Sequence, residues 1–152
     1  MKSKNQSSEV FLKFGKHFPF SVVDVIILDE EGSFLLTKRA ISPYKNKWHF
    51  PGGMIRKNIL MKKMVKIIAK NETNLDVHVK KFVGVYEIKS SHRHDISHVY
   101  LTYFLKGVIN LDFQSTEAKF FKHPPKNMIH IQKKMWFDAK RLLKEASHSK
   151  MH

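Results

Sequence analysis

A tight turn followed directly by an amphipathic helix constrains the fold of this chain more than any other feature. The segment WHFPGG (Trp48–Gly53) predicts a short strand that ends in a turn, because Pro51 and the two glycines after it interrupt regular structure. From Ile59 to Glu72, apolar residues recur at helical spacing and lysines occupy the remaining positions. The predicted apolar face consists of Leu60, Met64, Ile67, Ile68 and Asn71. This strand–turn–helix unit requires a sheet against which the helix can pack.

The rest of the chain supplies that sheet. Ser21–Leu28 is a β-branched run interrupted only by Asp24, and Phe34–Arg39 completes a hairpin with it. Further predicted elements are a helix at 9–18, one bent strand or two over Asp76–Lys89, strands at Ser97–Lys106 and Ala118–Phe121, and a helix over Ile129–Ala146. The order predicts an α/β/α sandwich around a mixed β-sheet, formed by a single domain over residues 9–148 after a flexible N-terminus at residues 1–8.

Charge and composition restrict the classes of partner. The chain has 152 residues and a formal charge of +15, which favours an anionic partner, although lysines spread along the whole chain are also explained by solubility. We therefore expect weak, nonspecific binding of nucleic acid. The chain contains no cysteine, so disulfides and cysteine-based metal sites are excluded. No apolar run is long enough for a membrane span, so we expect a cytoplasmic protein without a membrane partner.

Two motifs together resemble the core of the Nudix hydrolases. They are GSFLLTKR at Gly32–Arg39 and WHFPGG at Trp48–Gly53. When the family signature is registered on the last glycine of the turn, its four glutamate positions hold Ile59, Ile68, Asn71 and Glu72. Several carboxylates on this helix bind the metal ions of ordinary Nudix enzymes, so the resemblance implies a degenerate Nudix box with one surviving glutamate.

Within that family, the chain is most similar to the GDP-mannose mannosyl hydrolases, which use a single Mg2+. The resemblance implies that the metal ligands are the Gly53 (or Gly52) carbonyl, Glu72 and Gln114. It also implies substrate contacts by Asp24, Arg39, Arg56 and Tyr100, with Arg39 and Glu72 as the catalytic residues. Two departures stand out, since Ser115 occupies the position of the expected general base histidine, and Met54 that of an expected arginine.

Each of these residues also has a purely structural explanation. Glu72 is explained equally well as a solvated helix residue, and Asp24 as the partner of Arg39 in a buried ion pair. Tyr100 suits a core position, whereas Gln114 and Arg56 suit the surface. The polar cluster of His92, His94 and His98, with Asp95, is explained by default as loop residues without a specific role. The alternatives are a metal site or the source of the missing base.

Two functions follow from this sequence. The first is a Mg2+-dependent hydrolase of a nucleoside diphosphate derivative, with a nucleotide sugar related to GDP-mannose as the expected substrate. The alternative is a catalytically silent module that binds a nucleotide or RNA. The apolar residues Phe11, Phe14 and Phe18 in the first predicted helix, together with the resemblance, also suggest a homodimer.

Overall fold

The computed structural model describes residues 8–91 and 93–149. The predicted flexible N-terminus therefore lies outside the described residues, except for Ser8, where the first helix begins. The elements in chain order are α1 (Ser8–His17), β1 (Phe20–Leu28), β2 (Phe34–Arg39), β3 (Trp48–His49), β4 (Gly52–Met54), α2 (Met61–Thr73), β5 (Asp76–Lys89), β6 (His94–Lys106), β7 (Ser115–Phe121) and α3 (His130–Ser149).

One mixed sheet connects all seven of these strands. Five strands follow one another across the sheet in the order β3-β2-β1-β6-β5. Of the other two, β4 pairs with β1 and β7 pairs with β2. Strand β1 runs parallel to β6 along its whole length, and on its other edge it pairs with β4 near its start and β2 near its end. The edge of β1 thus changes partner beside Asp24, which pairs with Gly52 of β4.

The two faces of the sheet carry separate hydrophobic layers. Val23, Val25 and Ile27 of β1 pack in the layer that contains α2. Ile26 and Leu28 lie in the layer that contains α3, as strand alternation requires. The predicted α/β/α sandwich around a mixed sheet is confirmed. Asp24 lies two residues before Ile26 and therefore projects on the α3 side.

The helices differ from the prediction in which residues they bury. Helix α2 buries Met64, Val65, Ile68, Ala69 and Thr73. Leu60 is 82% exposed and Asn71 is also exposed, so the predicted face was wrong by part of a turn. The helix ends where predicted, because Asn74 adopts the left-handed conformation with φ of 65°. In α3, Trp136 is buried in the core, whereas the adjacent Phe137 is 59% exposed.

Helix α1 packs on its own domain. The Phe11 and Phe14 rings stack on Phe20, with centroid distances of 4.6 and 5.4 Å. Phe18 lies just after the helix and is 60% exposed. A dimer contact through these residues stays a prediction.

Two strands are longer than predicted, because β6 begins at His94 and β7 at Ser115, each three residues before the predicted start. Strand β5 is one continuous strand whose pairing with β6 is interrupted by three register shifts, which accounts for the predicted bend. Among the described residues, no helix is long and apolar enough to cross a membrane.

Candidate active site

A cavity of about 450 Å³ opens beside the turn at Pro51–Gly53. This volume is within the range of small-molecule sites, which is roughly 300–1,000 Å³. The cavity brings together five of the residues singled out in the sequence, which are Asp24, Arg39, Gly53, Glu72 and Gln114. They come from β1, β2, β4, α2 and the segment before β7, so only the folded chain assembles them.

Glu72 reaches the turn from the last turn of α2. Its Oε2 accepts a hydrogen bond from the Gly52 backbone N–H at 3.1 Å. Burial raises the pKa of Glu72 well above its usual value, and the nearby Asp112 and Asp24 raise it further. The Gly52 N–H and Arg39 act in the opposite direction. The Glu72 carboxyl group therefore points into the cavity and away from bulk solvent.

Asp24 lies on the other side of Gly52. Its Oδ2 accepts a hydrogen bond from the Ser97 hydroxyl, and its Oδ1 approaches the Gly52 backbone so closely that a Cβ at Gly52 would lie 2.1 Å from it. Burial raises the pKa of Asp24 to about 6. Only a glycine at position 52 leaves room for this carboxylate.

The predicted ion pair between Asp24 and Arg39 is wrong. Among the described residues, Asp24 has Ser97 as its side-chain partner, and the Arg39 Nε donates instead to the Pro43 carbonyl at 2.6 Å. The pairing of β2 with β7 shifts register between Lys38 and Arg39, which interrupts the strand alternation. That bulge allows Arg39 to line the cavity, where the Glu72 carboxylate acts on it electrostatically.

Gln114 lies at the entry to β7. Its backbone carbonyl accepts from the Ala40 N–H at 2.8 Å, and its N–H donates to the Asp112 Oδ1 at 3.0 Å. These bonds tie the segment before β7 to the segment after β2. Burial raises the pKa of Asp112, whose charge in turn acts on Glu72. Asp112 thus adds a fourth carboxyl group near the cavity, which Asp24, Glu72 and Asp95 line.

Two predicted substrate residues do not line the cavity. Arg56 is exposed in the segment before α2. Tyr100 is 6% exposed and packs in the α2 layer, with its ring 5.2 Å from that of Phe82. The reason is strand register, because Tyr100 pairs with Val25 and not with Asp24, and so projects on the opposite face. The structure supports the core interpretation of Tyr100.

Several lining residues were missed in the sequence. They are His49, Tyr44, Arg93, Asp95 and Gln132. The alternation of apolar and polar residues could have indicated His49, because its neighbours Trp48 and Phe50 are both apolar and a strand turns successive side chains to opposite faces. Strand spacing could have indicated Asp95. It lies two residues before Ser97, the partner of Asp24, and so projects on the same face of β6.

His49 is a neutral imidazole with both ring nitrogens engaged. Burial and the nearby Arg39 lower its pKa to about 4. One nitrogen lies 2.8 Å from the Phe50 carbonyl and the other 3.2 Å from the Thr37 hydroxyl. The carbonyl can only accept, so Nδ1 carries the proton and Nε2 accepts from Thr37. Because neither nitrogen is left for a substrate proton, His49 is a poor general base.

Comparison with known proteins identifies the family. The NUDIX domain model matches residues 19–149, which covers most of the chain. The chain belongs to the NUDIX domain family. An ADP-ribose pyrophosphatase of Methanocaldococcus jannaschii is 29% identical over 129 residues, covering 84% of this chain and 72% of the relative. The low-salt glycan biosynthesis protein Agl8 of Haloferax volcanii is 28% identical over 133 residues, covering 80% of this chain and 81% of the relative.

A solved structure agrees on the fold of this NUDIX domain. The MutT protein from Methanosarcina mazei Go1 superposes with a TM-score of 0.70 at 18% identity, covering 86% of this chain and 97% of that one. At this identity the likeness concerns the fold alone.

The histidine cluster does not form a metal site in this NUDIX domain, as far as the structure describes it. His92 lies outside the described residues. The His98 ring contacts the Val22 carbonyl at 3.0 Å, and the His94 Nε2 lies 3.4 Å from Glu87. Neither lines the cavity. Over residues 8–91 and 93–149, no three His, Cys, Asp or Glu side chains are arranged to hold a metal ion.

The residues around Glu72 nevertheless fit one hard cation completed by a ligand. Burial raises the pKa of Glu72, repulsion from Asp112 and Asp24 raises it further, and a divalent cation would offset both effects. Mg2+ typically takes one or two protein carboxylates and fills its remaining positions with waters and substrate phosphates. The described side chains do not supply a complete set of metal ligands. They are therefore compatible with Mg2+ that is completed by water and substrate, but not with a metal held by protein ligands alone.

Proposed function

We propose that this NUDIX domain is a Mg2+-dependent hydrolase of a nucleoside diphosphate derivative, with a nucleotide sugar of the GDP-mannose kind as its substrate class. The observation that carries the proposal is the hydrogen bond of 3.1 Å between Gly52 N–H and the Glu72 carboxylate. It directs the one surviving glutamate of the Nudix box into a cavity that also holds a cation, Arg39, and an amide, Gln114.

Each residue has a chemical part in this proposal. Glu72, Gln114 and the Gly53 carbonyl would hold Mg2+, which neutralises the diphosphate charge when it is bound. Arg39 offers its remaining N–H groups to phosphate oxygens, because its Nε is already fixed by the Pro43 carbonyl. Asp24, held by Ser97, accepts hydrogen bonds from substrate hydroxyls. The general base is left unassigned, because Ser115 cannot deprotonate water unaided at neutral pH.

The named relatives support the substrate class in two ways. One is an ADP-ribose pyrophosphatase, and ADP-ribose is a nucleoside diphosphate joined to a sugar. The other is named for glycan biosynthesis, a setting that uses activated sugars. Both names are consistent with a sugar on one side of a diphosphate, and neither specifies mannose.

A second candidate is the silent binding module. It is favoured by the apolar face that α2 turns toward the Pro51–Gly53 turn, where Ile68 carbons lie 3.5 and 3.6 Å from the position of a Cβ on Gly53. Ordinary Nudix enzymes carry a glutamate at the position of Ile68. With Glu72 as the single carboxylate of α2, the silent module would bind nucleotide without turning it over.

The decisive experiment follows a panel of nucleotide sugars with pure protein and Mg2+ by 31P NMR. Displacement at the sugar carbon leaves a nucleoside diphosphate, whereas cleavage of the diphosphate gives two monophosphates, so the phosphorus signals identify which bond breaks. Calorimetry in parallel measures the binding of GDP, of Mg2+ and of both together. We expect tighter binding of GDP with Mg2+ than of either alone.

Glu72→Gln should abolish both turnover and the synergy between GDP and Mg2+. Glu145→Gln is the matched control, because Glu145 is an exposed residue of α3 that does not line the cavity. Unchanged synergy in Glu72→Gln would remove the proposed metal ligand. Synergy without turnover of any nucleotide sugar would favour the silent module.

A further inference from the structure

We propose that Tyr44 is the platform on which the nucleobase of the substrate stacks, so that the nucleoside extends from the diphosphate toward a second cavity beyond Tyr44. This inference rests on the proposed function, since it assigns one end of the same substrate. It concerns the segment between β2 and β3, which contains Tyr44.

The order of residues along the cavity gives the direction. The Glu72 carboxyl group and the Gly52 backbone lie at one part of the cavity, joined by their hydrogen bond. Arg39 connects Glu72 to Pro43, because it interacts electrostatically with the Glu72 carboxylate and its Nε donates to the Pro43 carbonyl at 2.6 Å. Tyr44 follows Pro43 directly. A diphosphate held by Arg39 therefore has Tyr44 as the adjoining surface.

A second cavity adjoins the first at Tyr44. It has a volume of about 650 Å³ and shares Pro43, Tyr44 and Ser90 with the first. Its other lining residues are Ser42 and Ser91. Together the two cavities accommodate a ligand with bulky groups on both sides of a diphosphate.

The chemistry of the two regions differs. The first cavity holds the carboxylates of Asp24 and Asp95 and the amide of Gln114, which suit the many hydroxyls of a sugar. The second is lined by one aromatic ring, one proline and three serines. A flat aromatic ring with uncharged neighbours suits a nucleobase, because stacking on an aromatic side chain requires only a π face.

The backbone of Tyr44 supports a functional role. Its φ is 63°, and the other described non-glycine residues with positive φ are all asparagines, at positions 46, 58 and 74. Asparagine tolerates this conformation, whereas a bulky aromatic residue is disfavoured in it. The conformation holds the Tyr44 ring at the junction of the cavities with 44% of the residue exposed. Strained backbone that displays a side chain at a cavity is typical of ligand-binding positions.

The test compares two probes by calorimetry in the presence of Mg2+, namely GDP and inorganic pyrophosphate. Tyr44→Ala should weaken GDP binding by about 5- to 150-fold, the range expected for loss of one stacked base. It should leave pyrophosphate binding unchanged. Tyr44→Phe should bind GDP as the parent does, because stacking does not need the hydroxyl group.

Tyr103→Ala is the matched control for loss of a partly exposed tyrosine. Tyr103 lies near the end of β6, where its hydroxyl contacts Lys80 and its ring lines neither cavity. We expect no change in the binding of either probe. Thermal melting of all three variants verifies that each is folded.

The outcomes separate this inference from the proposed function. Equal weakening of both probes by Tyr44→Ala would mean that the segment only positions Arg39, and would overturn the platform. If Tyr44→Ala binds GDP as tightly as the parent and nucleotide sugars are still hydrolysed, the platform would be overturned and the proposed function would stand. Selective loss of GDP binding would uphold the platform even if no nucleotide sugar is hydrolysed.

Discussion

Replacement of Gly52 by alanine is expected to disrupt the site and lower stability. The added Cβ would lie 2.1 Å from the Asp24 Oδ1 and 3.0 Å from the Val23 carbonyl oxygen. Neither neighbour moves freely, because Ser97 holds the Asp24 carboxylate and the Val23 carbonyl belongs to the main chain of β1. Overpacking of this kind costs about 1–3 kcal/mol. For a domain of this size, we expect the melting temperature to fall by roughly 3–10 °C.

The neighbouring glycine provides the control. A Cβ on Gly53 would meet the nearest Ile68 carbon at 3.5 Å, which is an ordinary contact, and no positive φ restricts that position. Gly53→Ala should therefore change the free energy of unfolding by less than about 1 kcal/mol in either direction. Urea unfolding of both variants, followed by tryptophan fluorescence, measures the difference directly.

A double variant identifies the clashing group. In an Asp24→Ala background the shortest contact is removed, so Gly52→Ala should cost clearly less there than in the parent. Equal cost in both backgrounds, or equal stability of Gly52→Ala and Gly53→Ala, would refute the inferred close approach of Asp24 to the turn.

Three further predictions concern charge and substrate. Burial raises the Asp24 pKa from 3.8 to about 6, so the folded state holds this proton more tightly and stability is lost as pH rises between about 4 and 6. The pKa shift corresponds to a loss of about 3 kcal/mol in the free energy of unfolding. Asp24→Asn should therefore be more stable than the parent at pH 8 and equally stable at pH 4. Urea titrations at both pH values measure the difference. Nucleoside triphosphates and dinucleoside polyphosphates should be poor substrates, because α2 carries Glu72 as its single carboxylate and cannot hold several metal ions on its own. Robust phosphate release from them would contradict the proposed single-metal site. The charge of +15 should give only weak, sequence-independent nucleic acid binding that weakens steeply with salt, measured by fluorescence anisotropy.

The sequence predicted the strands and helices because their signals are local. Strand β1 is a β-branched run, and Asn74 supplies the left-handed stop of α2. The convergence of Glu72, Gln114 and the glycine turn followed from family resemblance, since these residues are far apart in the chain. Their hydrogen bonds could not be predicted from periodicity alone.

The errors arose where tertiary contacts decide the outcome. The partner of Arg39 depends on a register shift that no sequence pattern marks. The position of Tyr100 depends on the pairing of β6 with β1, because a slip of one residue would move its side chain to the other face. Tyr44 was missed because its importance lies in a backbone conformation that its residue type does not favour.

The pairing of the central strands has a consequence for how the domain folds. Strand β1 pairs in parallel with β6, as in the pair Phe20 and Asp95, and β2 pairs with β7, as in Phe34 and Phe121. Contacts this distant along the chain require closure of long loops before they contribute any stability, so folding should be slow for a domain of this size. During synthesis on the ribosome, the hairpin of β1 and β2 would emerge with both outer edges unpaired. The edges of that hairpin are then exposed to association with other chains until β6 and β7 arrive, which makes the early chain a natural client for chaperones.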